Sequence, residues 1–184
     1  GMWLLKELNS ESIARMQELG FTFPINSLYS DDNPSLKDAV VIFGGGCTGV
    51  AVSEQGLIFT NHHCGFGAIQ KLSAVEHDYL KDGFAAQSKE EELYADGLTI
   101  AFLRSMEDVT DKILPHIPPV LSEIQMELAI DSLSNELIKE YEYDPFTNAR
   151  VVPFYSRNKY YVVLYDVFRD VRLSATPPQS VGKF

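Results

Sequence analysis

Two short apolar runs, residues 50–52 and 57–59, stand on either side of Ser53-Glu54-Gln55-Gly56, and the chain's two cysteines, Cys47 and Cys64, bracket the pair. Glycine accepts the positive φ that a tight reversal needs, so the segment predicts a β-hairpin. The apolar stretch 39–43, ended by Gly44-Gly45-Gly46, reads as a buried strand. Directly after the hairpin come Thr60-Asn61-His62-His63-Cys64-Gly65 and a helical stretch through Ile69 and Leu72.

Elsewhere, Ser10 and Glu11 precede Ile13, Met16 and Leu19 at helical spacing, with Gly20 as a stop; this predicts a short amphipathic packing helix. Residues 30–35, rich in Ser, Asp, Asn and Pro, read as a loop, and Lys89 to Glu92 as a solvated charged face. Residues 98–103 read as a strand. The clearest helix spans 122–141, with Ile124, Leu128, Leu133 and Leu137 as its apolar face. High β-branched and aromatic density over 151–154 and 159–173 predicts two strands around the turn Ser156-Arg157-Asn158. Strands on both sides of a helical middle give a mixed α and β class, read as an antiparallel barrel or sandwich with helical insertions in preference to parallel βαβ units. At 184 residues and 45% hydrophobic, the chain has material for one core.

Charge narrows the partners. Fifteen basic against 26 acidic residues give a formal −11, which repels phosphate backbones and anionic lipid heads, so neither nucleic acid nor a membrane surface is expected. No apolar run approaches the roughly 20 residues of a membrane span. Gly1 ahead of Met2 is compatible with a tag scar or a removed signal peptide.

Three readings compete at the glycine and cysteine cluster. Gly44 to Gly49 matches G-x-G-x-x-G, but that fingerprint needs a helix starting at the turn, and a hairpin is predicted here; Ser180-Val181-Gly182-Lys183 is only the tail of a P-loop. No cofactor is therefore expected. His62, His63 and Cys64, with Cys47 and His77, offer soft ligands, yet zinc sites present pairs two to four residues apart, and neighbours on an extended segment point opposite ways. No metal site is expected on that ground. The third reading takes His63 as a general base whose orientation is fixed by Cys64, if the hairpin brings Cys64 to Cys47 in a disulfide. His62, like His77 and His116, is expected to be a hydrogen-bonded structural residue.

Cys47-Thr48-Gly49-Val50, the turn ending at Gly56, and Leu57-Ile58-Phe59-Thr60-Asn61-His62-His63-Cys64 resemble the histidine hairpin of chymotrypsin-like serine peptidases, in which a histidine immediately before a disulfide cysteine is catalytic. His63 takes that place and His62 does not. Further segments are similar to the bacterial exo-acting dipeptidyl-peptidase family with that fold. They are Gly1-Met2-Trp3-Leu4-Leu5, Gly65-Phe66-Gly67-Ala68-Ile69-Gln70, His77-Asp78-Tyr79-Leu80-Lys81-Asp82-Gly83-Phe84, Asp108-Val109-Thr110, Asp170-Val171-Arg172-Leu173, Pro177-Pro178 and Gly182-Lys183-Phe184.

The resemblance implies part of the first chymotrypsin-like barrel, with helical insertions, of a secreted or periplasmic enzyme made with a signal peptide. Such an enzyme removes dipeptides from peptide N-termini by a Ser-His-Asp triad, needs no cofactor, and is suggested to be a homodimer when intact. It implies His63 as the catalytic base and a Cys47–Cys64 disulfide. In that family the aspartate follows soon after Gly-Lys-Phe and the serine lies in the second barrel, so the chain is expected to be an N-terminal part, without the second barrel and helical domain, and inactive alone. Asp166 and Asp170 are weighed as substitutes and read instead as paired surface carboxylates; no Gly-x-Ser-x-Gly elbow occurs. Trp3, with Leu4 and Leu5, is expected to anchor the N-terminus. The alternative from another class is a non-catalytic binding module on a peptidase-like scaffold.

Overall fold

A computed structural model describes residues 4–118, 120–142 and 144–182. After α1 (Ser10–Glu18) and the single turn α2 (Leu36–Ala39), the chain enters β1 (Val40–Phe43), β2 (Cys47–Ala51) and β3 (Ile58–Thr60). There follow α3 (His62–Leu72), α4 (Tyr79–Asp82), β4 (Phe84–Ala85), β5 (Leu93–Tyr94) and the long β6 (Ile100–Asp108). The remainder is α5 (Thr110–Ile113), α6 (Glu123–Ile138), β7 (Thr147–Phe154), β8 (Lys159–Phe168), β9 (Arg172–Leu173), β10 (Ala175–Thr176) and α7 (Gln179–Gly182).

The main sheet has six strands in the order β3-β2-β1-β6-β8-β7, every neighbouring pair antiparallel. The expected mixed class with an antiparallel sheet holds. The sheet is not closed: β3 and β7 are its edges among the described residues. Two small ribbons, β4 with β10 and β5 with β9, tie the segment before β6 to the last strands.

The core forms around β8, because Tyr160 to Leu164 is buried on both faces. Side chains alternate across a strand. Tyr160, Val162 and Leu164 therefore pack with Val109, Ile113, Leu137 and Ala149, whereas Tyr161 and Val163 pack with Met106 on the other face. Leu4 joins the second group. Gly1, Met2, Trp3, Lys183 and Phe184, and with them the anchor expected at Trp3, lie outside the described residues; Leu5 is exposed.

Helix α6 starts at a reciprocal cap between Ser122 and Gln125. The expected face holds at Leu137 and fails at Ile124 and Leu128. Leu137 packs with Ile130 and Ile138 against the core, while Ile124 and Leu128 face solvent. At 100° per residue, Ile130 and Leu137 fall on one stripe and Ile124 and Leu128 on the opposite one, and the core selects the first. Helix α1 is capped by the Asn9 side chain rather than by Ser10, and Leu19, at its C-terminal cap, is likewise exposed. No helix among the described residues is long and apolar enough to cross a membrane.

Candidate active site on the histidine hairpin

The hairpin β2–β3 forms as its turn chemistry dictates. Gly56 takes φ +82°, its N–H reaches the Ser53 carbonyl at 3.2 Å, and the Ser53 hydroxyl accepts from the Leu57 N–H at 3.1 Å. Val52 N–H donates to the Leu57 carbonyl at 2.8 Å, setting a register in which Gly49 faces Thr60. Gly49 is buried because its neighbours leave no room for a side chain. A Cβ there would stand 2.9 Å from Ile58 Cγ2 and 3.1 Å from Val41 Cγ2.

The six residues that match the nucleotide fingerprint form a turn and the start of a strand. Gly44 (φ +59°) and Gly46 (φ +150°) sit in the β1–β2 connection and Gly49 in β2, so no helix N-terminus opens at the turn.

Past β3, Asn61 adopts an extended cap conformation and α3 begins at His62. This overturns the geometric ground on which a metal site was set aside. From His62 onward the segment is helical, not extended, and this turn brings His63 and Cys64 toward β2 instead of pointing them apart. Cys47 and Cys64 form a disulfide with Cα atoms 5.9 Å apart. The Cys47 and Cys64 sulfurs and a His63 ring nitrogen all lie within 4.8 Å of one another. His63 is exposed and both cysteines are half-buried. The Thr60 hydroxyl donates to the Thr48 carbonyl at 2.8 Å, beside the bridge. Thr60 belongs to the quoted motif, but its role depends on strand register and has no local signal.

His62 is a second departure. It was expected to be hydrogen-bonded, yet both ring nitrogens are shielded from solvent with no hydrogen-bond partner among the described residues, and its ring meets Phe66 edge-on at 6.1 Å. His77 stacks on Tyr79 at 6.1 Å.

The two acids weighed as partners for His63 are engaged elsewhere. Asp166 pairs with Arg104, which sits where β6 slips register against β8, and Asp170 pairs with Arg172 at 2.9 Å. The row Thr60–Gly49–Val41–Phe102–Asp166 crosses four strand spacings of about 4.8 Å each, so Asp166 lies four strands away from Thr60, about 19 Å when followed along the sheet. A cleft of about 520 Å³ beside α6, lined by Glu127, Arg150, Arg157 and Tyr160, contains none of the candidate residues.

Outside this site, Glu7 accepts hydrogen bonds from Lys159 Nζ at 2.6 Å, from the Tyr155 hydroxyl at 2.8 Å and from the Tyr161 hydroxyl. The Lys159 bond, then the Tyr161 bond, hold its carboxyl below the usual range. Burial, then Glu7, push the Tyr161 hydroxyl up to about 12.

A family model described as Peptidase S46 matches residues 1–184. The chain is 53% identical over 184 residues to a dipeptidyl-peptidase 7 of Porphyromonas gingivalis, covering 100% of this chain and 26% of that protein. It is 43% identical over 189 residues to an Asp/Glu-specific dipeptidyl-peptidase of Porphyromonas endodontalis, again covering 100% and 26%. A crystal structure of Porphyromonas endodontalis DPP11 in complex with substrate superposes with a TM-score of 0.89 at 43% identity, covering 100% of this chain and 28% of that one. A second, with the dipeptide Arg-Glu, gives the same TM-score over 27% of its chain. The chain thus spans about a quarter of the length of these relatives.

Proposed function

Because this chain belongs to the peptidase S46 family, we propose that it carries the general-base histidine, His63, of a serine-type dipeptidyl-peptidase that removes dipeptides from peptide N-termini. The observation that carries this reading is the placement of His63: an exposed imidazole on the first turn of α3, adjacent to a cysteine that bridges to the start of β2. General-base catalysis needs an imidazole that solvent and substrate can reach on a turn that cannot drift, and the bridge restrains that turn.

In the proposed mechanism His63 takes the proton of a serine hydroxyl as the oxygen attacks the scissile carbonyl. The resulting imidazolium returns that proton to the leaving amine, and water then releases the dipeptide from the acyl-enzyme. The serine and the aspartate that holds the imidazole tautomer are assigned to sequence following residue 184, in keeping with the quarter of its relatives that this chain spans. On this reading the 184-residue chain alone has no turnover. The reading includes a periplasmic or extracellular location, which the disulfide supports because such bridges persist in oxidising compartments. Relatives crystallised with substrate and with a dipeptide support peptides as the ligand class.

The test is release of fluorophore from dipeptidyl substrates by the full-length gene product, wild type against His63→Ala. The expected result is a loss of several orders of magnitude in kcat with an unchanged fold, as for removal of a triad base. Equal rates would remove His63 from the chemistry, and no turnover by either protein would favour a peptidase-like binding module.

A further inference from the structure

We propose that the Cys47–Cys64 disulfide masks a divalent-metal site, and that its reduction creates a three-ligand zinc site from Cys47, His63 and Cys64. The donor set is already gathered: the two sulfurs and a ring nitrogen of His63 lie within 4.8 Å of one another. A tetrahedral zinc with Zn–S of about 2.3 Å and Zn–N of about 2.1 Å places its donors roughly 3.6 to 3.8 Å apart. Opening the bridge requires the sulfurs to separate toward that spacing, and the nitrogen to stay in range. The 5.9 Å between the two Cα atoms leaves room for this through side-chain rotation.

Elements independent of the bridge keep the donors together. The Thr60 hydroxyl holds the Thr48 carbonyl at 2.8 Å, one residue from Cys47. Gly49 pairs with Thr60 and Phe43 pairs with Cys47, fixing β2 on both sides. The Cys64 N–H donates to the Asn61 carbonyl at 2.9 Å, fixing the turn that carries both other ligands. Because His63 is exposed, water can take the fourth position, the open arrangement of a Cys₂His site.

The chemistry balances. A dithiol reduces the protein disulfide to two thiols and is itself oxidised to a cyclic disulfide. Zinc then binds both sulfurs as thiolates and releases two protons, with the neutral imidazole donating its lone pair. Zinc binding stands without the peptidase reading. Its consequence rests on that reading: an imidazole nitrogen bound to zinc has no lone pair with which to take a serine proton, so the reduced, zinc-loaded enzyme is switched off.

Zinc binding and hydrolysis are therefore measured separately. The chain is reduced with a dithiol, desalted without oxygen, and titrated with zinc chloride against a chromophoric chelator, beside the oxidised chain. One zinc per reduced chain is expected, bound at least about 100-fold more tightly than by the oxidised chain. Cobalt(II) should give thiolate-to-metal charge-transfer absorption in the reduced chain alone. His63→Ala, which keeps both thiols but removes a direct ligand, should weaken zinc by at least the roughly 10-fold that loss of an outer-shell partner costs. Three results would overturn the proposal: equal zinc binding by the two redox forms, zinc held equally by His63→Ala and wild type, or loss of the folded circular-dichroism spectrum on reduction that zinc does not restore.

Discussion

The Thr60 side chain donates its hydroxyl hydrogen to the Thr48 carbonyl at 2.8 Å, joining the last residue of β3 to the strand that begins at Cys47. The bond sits between the disulfide and the hairpin ladder, so it stiffens the stretch of chain from which His63 projects. Thr60→Val keeps the shape and the β-propensity but removes the donor. The expected loss is about 1 kcal/mol of unfolding free energy, read from urea denaturation. An unchanged midpoint would mean that water replaces the bond without cost.

The Cys47–Cys64 bridge closes a short loop, with the two residues 17 apart in sequence. Restricting the unfolded chain by a loop of this size stabilises by about 3 kcal/mol in the chain-entropy account. Cys47→Ser should therefore lower stability by about 2 to 4 kcal/mol, measured by chemical denaturation under non-reducing conditions. An unaltered transition would show that the β2–β3 ladder alone fixes the turn.

Gly49 and Gly45 make a matched pair for substitution. A methyl group on Gly49 meets Ile58, Val41 and the Phe59 carbonyl within 3.2 Å, whereas one on Gly45 meets nothing within 4 Å. Gly49→Ala should cost about 1 to 3 kcal/mol through overpacking and displacement of β3. Gly45→Ala should stay within about 0.5 kcal/mol of wild type. Equal melting temperatures for the two variants would contradict the close approach of β1, β2 and β3 at Gly49.

Glu7 links the N-terminal segment to β8 and the turn before it, and its hydrogen bonds from Lys159 and Tyr161 hold its carboxyl below the ordinary 4.5. A carboxyl with a lower value in the folded than in the unfolded chain binds fewer protons when folded. It contributes stability above the ordinary value and loses it as pH falls through the lower folded one. Glu7→Gln should be clearly less stable than wild type at about pH 7, and the gap should shrink by about pH 3.5. Urea midpoints at the two pH values decide it; a constant gap would mean that the carboxylate charge adds nothing.

Short-range features of the fold were legible in the sequence. Gly56 and Ser53 specify the reversal between residues 52 and 57, and the apolar runs on either side specify strands. The dense aromatic and β-branched stretch after Lys159 specifies β8, buried on both faces. Turn chemistry and side-chain periodicity act over a few residues, so they can be read without knowing what lies opposite. The resemblance carried by the residues from Cys47 to Cys64 added the family and singled out His63 from His62.

Tertiary structure decided whatever depends on partners far along the chain. Ile130 and Leu137, not Ile124 and Leu128, became the buried face of α6, because both stripes are apolar and only the position of β7 and β8 selects one. Glu7 found its partners at Tyr155, Lys159 and Tyr161 across the whole chain. His62 ended with both ring nitrogens shielded and unpaired among the described residues, against the rule by which it was read. The helical start at His62 turned two neighbouring residues toward Cys47, where an extended segment would have pointed them apart. In each case the deciding free energy comes from contacts set by strand register and helix docking, and no local window of sequence contains both partners.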